Sequence, residues 1–419
     1  MNIEKLHQLY VKQNHSISTD TRKIKEGSIF FALKGANFNG NIFAQDAYNK
    51  GASYCVIDEE EYNTNDKFIL VNDVLETLQK LATFHRRKIN IPIIALTGSN
   101  GKTTTKELIN VVLAKKFKTF ATQGNLNNHI GVPLTLLSIT DEVEIGIVEM
   151  GANHHKEIAL LSSIAEPNYG YITNFGKAHL EGFGSVEGVI EAKTELYDHI
   201  ISNNQTIFVN PNDAIQMSKT KTVKRHLLSN EVKFIKAEPF VTLDYKNVSV
   251  KSNLIGDYNY PNICCAITIG EYFGVAKDAI KDAIEEYIPT NNRSQIIKVN
   301  SNEVILDAYN ANPTSMEAAI NNFSLLKCDK KILIVGDMFE LGVNSENEHQ
   351  SIVNLIENKD FNDVILVGSN FFKTKGKQRK FEEFEGLKVY LERTPILNTT
   401  LLIKGSRGMA LERCLPLIN

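Results

Sequence analysis

The residues best equipped for chemistry stand together in Thr97-Gly98-Ser99-Asn100-Gly101-Lys102-Thr103-Thr104. They follow the apolar run Ile91-Pro92-Ile93-Ile94-Ala95-Leu96 and precede a helical pattern through Leu108, Val111 and Val112. Glycines let such a loop curl until its N–H groups face a polyphosphate, and the helix start adds positive potential. Lys102 then supplies a cation and Thr103 a hydroxyl suited to magnesium, so the segment points to a nucleoside triphosphate. The spacing departs from the common G-x-x-x-x-G-K-[ST], because Leu96 holds the first glycine's place and Gly98 comes two residues later. An ordinary glycine-rich turn is the alternative, and the flanking run and helix argue against it.

Three other residues can be read two ways. Glu149 closes the run Ile145-Gly146-Ile147-Val148, where a carboxylate either shares a magnesium ion with Thr103 or caps the next turn. His179, in Gly176-Lys177-Ala178-His179-Leu180-Glu181, is a loop histidine, ligand or solvated. Lys193 lies on a helical stretch from Ser185 to Ile200, where lysines are mostly surface charges. His154-His155 reads as the start of a helix.

These residues need strands and helices to hold them, and 419 residues suit about three domains. Over 1–88, short strands at 28–33 and 54–57 precede a helical pattern through Val74, Leu75, Leu78, Leu81 and Ala82, giving a small α/β domain. Over 89–290, buried runs ending at Leu96, Glu149, Thr173 and Asn210 alternate with helices, as in a doubly wound, mainly parallel sheet. Segments 232–235 and 241–250 predict an antiparallel edge, and 259–273 a helix. Over 291–419, strands at 304–306, 331–335, 363–367 and 401–403 form a Rossmann-like alternation. Ligands of open α/β sheets bind beyond the carboxyl ends of strands, which puts Asp307, Gly336-Asp337, Gly368 and Lys404-Gly405 on one rim.

Composition narrows the function further. Hydrophobic residues at 42% and charged residues at 23% fit a folded, water-soluble chain. Lys plus Arg at 46 against Asp plus Glu at 49 gives a net charge of -3, so no overall field favours nucleic acid. Cys55, Cys264, Cys265, Cys328 and Cys414 form no C-x-x-C pair and read as reduced thiols. The first residues lack a signal-peptide core, and no apolar run reaches the roughly 18 residues of a membrane span. A cytoplasmic protein without stable membrane association is expected.

The phosphate loop, Val148-Glu149-Met150-Gly151, Ala178-His179-Leu180 and Glu191-Ala192-Lys193-Thr194-Glu195 together resemble the ATP-dependent Mur ligases of peptidoglycan synthesis. Further segments resemble the branch of that family that adds D-alanyl-D-alanine to UDP-N-acetylmuramoyl-tripeptide. They are Gly124 to Thr135, Asp307-Ala308-Tyr309-Asn310-Ala311-Asn312-Pro313, Gly336-Asp337-Met338-Phe339-Glu340-Leu341-Gly342 and Lys404-Gly405-Ser406-Arg407-Gly408-Met409. The resemblance implies a uridine-binding first domain, in which Asp20, Thr21, Arg22 and Ser28 match the nucleotide-holding segment. It implies a carbamylated Lys193 beside His179 at a second magnesium ion, and Asn127 or Asn128 supporting phosphates or metal. It also places Asn262 at adenine, Arg293 at the phosphates and Asp307 at the ribose. Tyr258 stands where the family has histidine, and Asn39 where aspartate is commoner.

The implied chemistry is amide formation through an acyl phosphate, with ATP and Mg2+ required and Lys102, Glu149, His179 and Lys193 central. Lys404 and Arg407 are candidate binders of the dipeptide carboxylate, or ordinary surface charges. Asn310 and Asn312 join them as substrate-binding candidates. A monomer is expected, serving cell-wall biogenesis and thereby cell shape and division, with domains that close from an open form. Two alternatives remain at this point: a nucleotide-gated switch without ligation, or a folate polyglutamate or cyanophycin type of amide ligase.

Overall fold

The computed structural model describes residues 2–290 and 292–418; the chain ends and Asn291, where the sequence reading starts its third domain, lie outside them. Four parallel strands, Ile17–Ser18 (β1), Ile29–Phe31 (β2), Tyr54–Ile57 (β3) and Phe68–Leu70 (β4), form the first sheet in chain order. The helix Val74–Ile89 starts where the Asp73 side chain accepts from the Glu76 N–H, and it buries Val74, Leu78, Leu81 and Ala82. That face is the apolar stripe read from the sequence.

The second sheet contains Ile93–Thr97 (β5), Thr119–Ala121 (β6), Ile145–Glu149 (β7), Tyr169–Ile172 (β8), Thr206–Val209 (β9) and Arg225–Leu227 (β10). Its order is β10-β9-β8-β5-β7-β6, with every pair parallel. All residues of β5 and β7 are buried, as continuous apolar runs require when helices cover both faces. From β5 the chain first builds towards β6 and β7, then crosses to β8, so the end of β5 lies at the reversal of strand order, where such sheets bind ligands.

An antiparallel unit of Val232–Ala237 (β11), Phe240–Tyr245 (β12) and Val248–Ile255 (β13) follows. The single run expected over 241–250 is two strands, because Lys246 and Asn247 adopt left-handed φ of 51° and 62° and turn the chain. The helix Tyr260–Tyr272 then returns against the helix Lys102–Leu113.

The last sheet joins Gln295–Val299 (β14), Asn302–Asp307 (β15), Lys331–Gly336 (β16), Asp363–Val367 (β17), Arg379–Phe381 (β18) and Thr400–Lys404 (β19). Its order is β14-β15-β19-β16-β17-β18, and only β14 runs antiparallel. The parallel register sets Asp307 opposite Lys404 at the carboxyl edge.

The second and third domains touch across the cavity; the sequence reading expects an open apo form. Polar groups on the two rims satisfy each other directly: Asn312 Nδ2 donates to Asn100 Oδ1 at 2.7 Å, and Lys177 Nζ meets Glu348 at 2.7 Å.

Candidate active site

Thr97 ends β5, and the chain turns at Gly98 with φ 141°. A Cβ at Gly98 would lie 1.9 Å from Thr173 Oγ1, and one at Gly101, φ 78°, would lie 2.9 Å from Asn262 Oδ1. Only glycine allows the loop to press against both neighbours. The loop is then fixed from below by Thr173 and Asn174. Thr173 Oγ1 donates to the Asn100 carbonyl at 2.6 Å, and the Asn100 N–H donates to Asn174 Oδ1 at 3.1 Å. The Ser99 hydroxyl donates to the Gly176 carbonyl at 3.0 Å.

The helix from Lys102 begins without a side-chain cap, which leaves its first N–H groups for an anion. Lys102 Nζ lies over the loop, donating to the Gly98 carbonyl at 2.7 Å. Burial lowers its proton affinity; Glu149 opposes the shift and Arg293 adds to it. Thr104 lines the cavity beside it.

Thr103 Oγ1 donates to Glu149 Oε2 at 2.9 Å, and Asn127 Nδ2 donates to Glu149 Oε1 at 2.8 Å. A hydroxyl and an oriented carboxylate at one point suit magnesium, which takes few protein ligands and completes its shell with phosphate oxygens and water. Among the described residues no three His, Cys, Asp or Glu side chains cluster as a ready-made metal cage, so nucleotide oxygens would have to complete the shell. Asn128 also lines the cavity, and its Oδ1 accepts from the Ile130 and Gly131 N–H groups at the approach to the helix Gly131–Leu136.

Lys193 is not the surface charge that its helix position favours. The helix Val186–Ser202 turns it inward until only 1% is exposed, with Nζ 5.0 Å from the centre of the Phe183 ring and 3.3 Å from the Ala152 carbonyl. Burial, reinforced by the Lys102 charge, brings its pKa down to about 7 against the pull of Glu157 and Glu195. As an unmodified cation it cannot ligate metal; as a carbamate it could. His179 lines the cavity, and its Nδ1 lies 2.6 Å from Glu340.

The C-terminal rim supplies the opposite wall. Asp307 accepts from the Ser294 N–H at 3.1 Å and pairs with Lys404 at 2.6 Å. Lys404 is 2% exposed and also donates to the Asn310 carbonyl, so it is a buried, paired cation on the cavity wall and not a surface charge. The Arg293 guanidinium stacks on Tyr309 at 3.7 Å, leaving its buried Nε without a partner among the described residues. Asn262 is engaged by Thr105 and Asn259. Tyr258 lines the cavity with its hydroxyl 3.1 Å from Ser294.

These groups line one cavity of about 530 Å³ between the second and third domains. It gathers Ser99 through Thr104, Asn127, Asn128, Glu149, His179, Asn262, Arg293, Asp307, Asn310, Asn312 and Lys404. Other candidates lie elsewhere. Gly98 and Lys193 stand behind its wall, and Arg407 pairs with Glu412 at 2.7 Å on an exposed turn. Asp20, Thr21 and Arg22 form an exposed turn of the first domain in which Arg22 grips the Asp20 carboxylate at 2.8 Å, while Ser28 is buried. Asn39 is a local cap, accepting from the Asn41 N–H and donating to Glu59. Sequence reading passed over Thr173, Asn174 and Tyr309 as site residues, although each follows or ends a strand on the same rim.

Comparison with known proteins reaches all three domains. The Mur ligase family catalytic domain matches residues 13–91, the Mur ligase middle domain 96–270 and the Mur ligase glutamate ligase domain 292–401. The UDP-N-acetylmuramoyl-tripeptide--D-alanyl-D-alanine ligase of Bacillus subtilis is 34% identical, covering 95% of this chain and 92% of its own. The chain belongs to the Mur ligase family. The Escherichia coli enzyme of the same name is 32% identical to this Mur ligase over 95% of the chain and 92% of its own. The crystal structure of MurF from Acinetobacter baumannii matches with a TM-score of 0.86 at 28% identity, covering 98% and 97% of the two chains. The structure of MurF ligase from Thermotoga maritima in complex with ADP matches with a TM-score of 0.85 at 26% identity, covering 97% of each. A folylpolyglutamate synthase shares the Mur ligase fold at 13% identity over 82% of this chain.

Proposed function

We propose that this Mur ligase joins D-alanyl-D-alanine to UDP-N-acetylmuramoyl-tripeptide at the expense of ATP. The observation that carries the proposal is the single cavity in which the phosphate loop faces Arg293 and Asp307 of the C-terminal domain, in a chain that aligns end to end with ligases of that name. An amide forms from a carboxylate only once its oxygen becomes a leaving group. A peptide carboxylate oxygen therefore takes the γ-phosphoryl group of ATP, and ADP departs. The dipeptide amine attacks the acyl phosphate carbon, orthophosphate leaves with the carboxylate oxygen, and the nitrogen loses its proton.

Phosphoryl transfer asks a protein for position and charge more than for bond-making groups. The loop amides and Lys102 bind the phosphates, and Arg293 neutralises charge from the opposite wall. Thr103 and Glu149 would hold one magnesium ion, and His179 with carbamylated Lys193 a second, which together supply charge neutralisation at the transferring group. A lysine brought down to about 7 has the neutral amine that carbon dioxide requires, which supports that modification. Asp307, steadied by Lys404, is suited to a ribose hydroxyl, and Asn262 to adenine. Asp20, Thr21, Arg22 and Ser28 are assigned to the uridine nucleotide. Arg407, exposed and paired with Glu412, is the better candidate for the dipeptide carboxylate.

The proposal includes a cytoplasmic monomer without membrane attachment, in keeping with water-borne substrates; no described helix is long and apolar enough to cross a membrane. Its test is a ligation assay with ATP, Mg2+, the UDP-linked tripeptide and D-alanyl-D-alanine. Pentapeptide should form in step with ADP. ADP formation indifferent to both acceptors would favour a nucleotide switch instead.

A further inference from the structure

The segment Gly336 to Gly342 matches a family signature, yet the reaction above gives it no task. Its backbone is held by other residues at three successive positions. The Asp337 N–H donates to the Val367 carbonyl at 3.0 Å, the Met338 N–H to His349 Nε2 at 3.0 Å, and the Phe339 N–H to Ser406 Oγ at 2.9 Å. The Asp337 carboxylate accepts from the Asn370 and Phe371 N–H groups, both at 2.9 Å. This platform presents Glu340 across the domain boundary, where its carboxylate reaches His179 Nδ1 at 2.6 Å.

Both residues of that contact have the left-handed backbone that side chains disfavour, φ 52° at His179 and φ 63° at Glu340. Surrounding structure must impose it. The Glu181 N–H donates to the Glu340 carbonyl at 3.2 Å, and Gly342 lies close against Glu181. Upstream, the Lys177 N–H donates to Thr314 Oγ1 at 3.0 Å and Lys177 Nζ to Glu348 at 2.7 Å. The histidine loop of the central domain is therefore gripped on both sides of His179 by the C-terminal domain. His179 Nδ1 is sealed from solvent and, although the Glu340 carboxylate lies 2.6 Å away, makes no aligned hydrogen bond among the described residues, while Nε2 is the other ring nitrogen of a residue that lines the cavity.

Metal-binding histidines generally direct their other ring nitrogen to a carboxylate or carbonyl, which fixes tautomer and orientation. We propose that Glu340 is a positioning residue for ligation: domain closure brings its carboxylate to His179 Nδ1 and so presents Nε2 to the nucleotide site. The inference rests on the functional reading above for the role of His179. It makes the histidine complete only in the closed molecule, which restricts phosphoryl transfer to the state that excludes water.

The test uses full-length Glu340→Ala and Glu340→Gln. With ADP present, 15N NMR of wild-type His179 should show protonated Nδ1 and bare Nε2, and Glu340→Ala should mix the two tautomers. Mn2+ affinity, read by electron paramagnetic resonance with ADP present, should fall about 10- to 100-fold in Glu340→Ala, and kcat by a similar factor. KM for ATP and the thermal midpoint should stay put, and Glu340→Gln, which keeps an acceptor oxygen, should lose less. Unchanged tautomer, Mn2+ affinity and kcat overturn the proposal, as do losses that merely follow a fallen thermal midpoint. If Glu340→Ala fails to fold, the isosteric Glu340→Gln decides, and wild-type behaviour in all three readouts overturns it. A wild-type protein that makes no pentapeptide refutes the ligase reading, while the tautomer and Mn2+ measurements still judge Glu340.

Discussion

Lys193 sits where a neutral amine is favoured: against the Phe183 ring, out of water, with its pKa near 7. Carbamylation there would exchange a buried cation for an anion able to meet metal, so the proposed role depends on the burial. Lys193→Ala should therefore lose ligase activity, and short carboxylic acids should restore part of it by occupying the vacated space. Rates measured across an acetate series check this; a variant as active as wild type contradicts it. The burial itself was not legible in the sequence. A lysine on a helix gives no sign of which face it joins, and only the packing of Val186–Ser202 against Phe183 decides it. Lys102 and Thr103 were legible because a buried strand, glycines and a helix start surround them within one short segment. The pairing of Lys404 with Asp307 was not legible, since the two are 97 residues apart and strand register brings them opposite each other.

At the scale of elements, the helix Pro313–Leu325 starts from a capping box in which Asn312 Oδ1 accepts from the Ser315 N–H. The same side chain uses its amide to reach Asn100 of the phosphate loop. Asn312→Ala should cost about 1 kcal/mol in stability from the lost cap and raise KM for ATP; chemical denaturation and initial rates measure the two separately. Another element-scale device couples the first two domains. His7 and His85 lie with Nε2 and Nδ1 3.1 Å apart, His85 Nε2 is 2.8 Å from the Ile139 carbonyl, and Tyr10 donates to the Leu137 carbonyl at 2.6 Å.

Burial, then the charge of His85, lowers the His7 pKa to about 4; burial also lowers His85. His15 and Lys88 push in the same direction at His7, and Asp141 opposes. A histidine with a depressed folded pKa binds more protons when unfolded, so its contribution to stability is present above the unfolded value near 6.5 and is lost as pH falls towards 4. The thermal midpoint should therefore drop between pH 7 and 4.5, and less steeply in His7→Gln. Strands and their order of appearance could be read from apolar runs, whereas this histidine cluster could not: its members come from residues 7, 15 and 85, and nothing local links them.

For the whole molecule, the three-domain α/β fold is legible in the sequence, which leaves the contacts between domains unspecified. The second and third domains meet through Asn100 with Asn312, Lys177 with Glu348 and His179 with Glu340. Closure over the cavity protects an acyl phosphate from water, and it unites a phosphate loop with a rim more than 190 residues later in the chain. Alternation of strands reveals each sheet, but side chains that meet across a domain boundary leave no periodic trace. The central claim is that a peptide carboxylate oxygen accepts the γ-phosphoryl group before the amide forms. Tripeptide acceptor labelled with 18O in its terminal carboxylate tests it most directly. The account predicts orthophosphate carrying one 18O atom for every pentapeptide made; unlabelled orthophosphate alongside pentapeptide would contradict it.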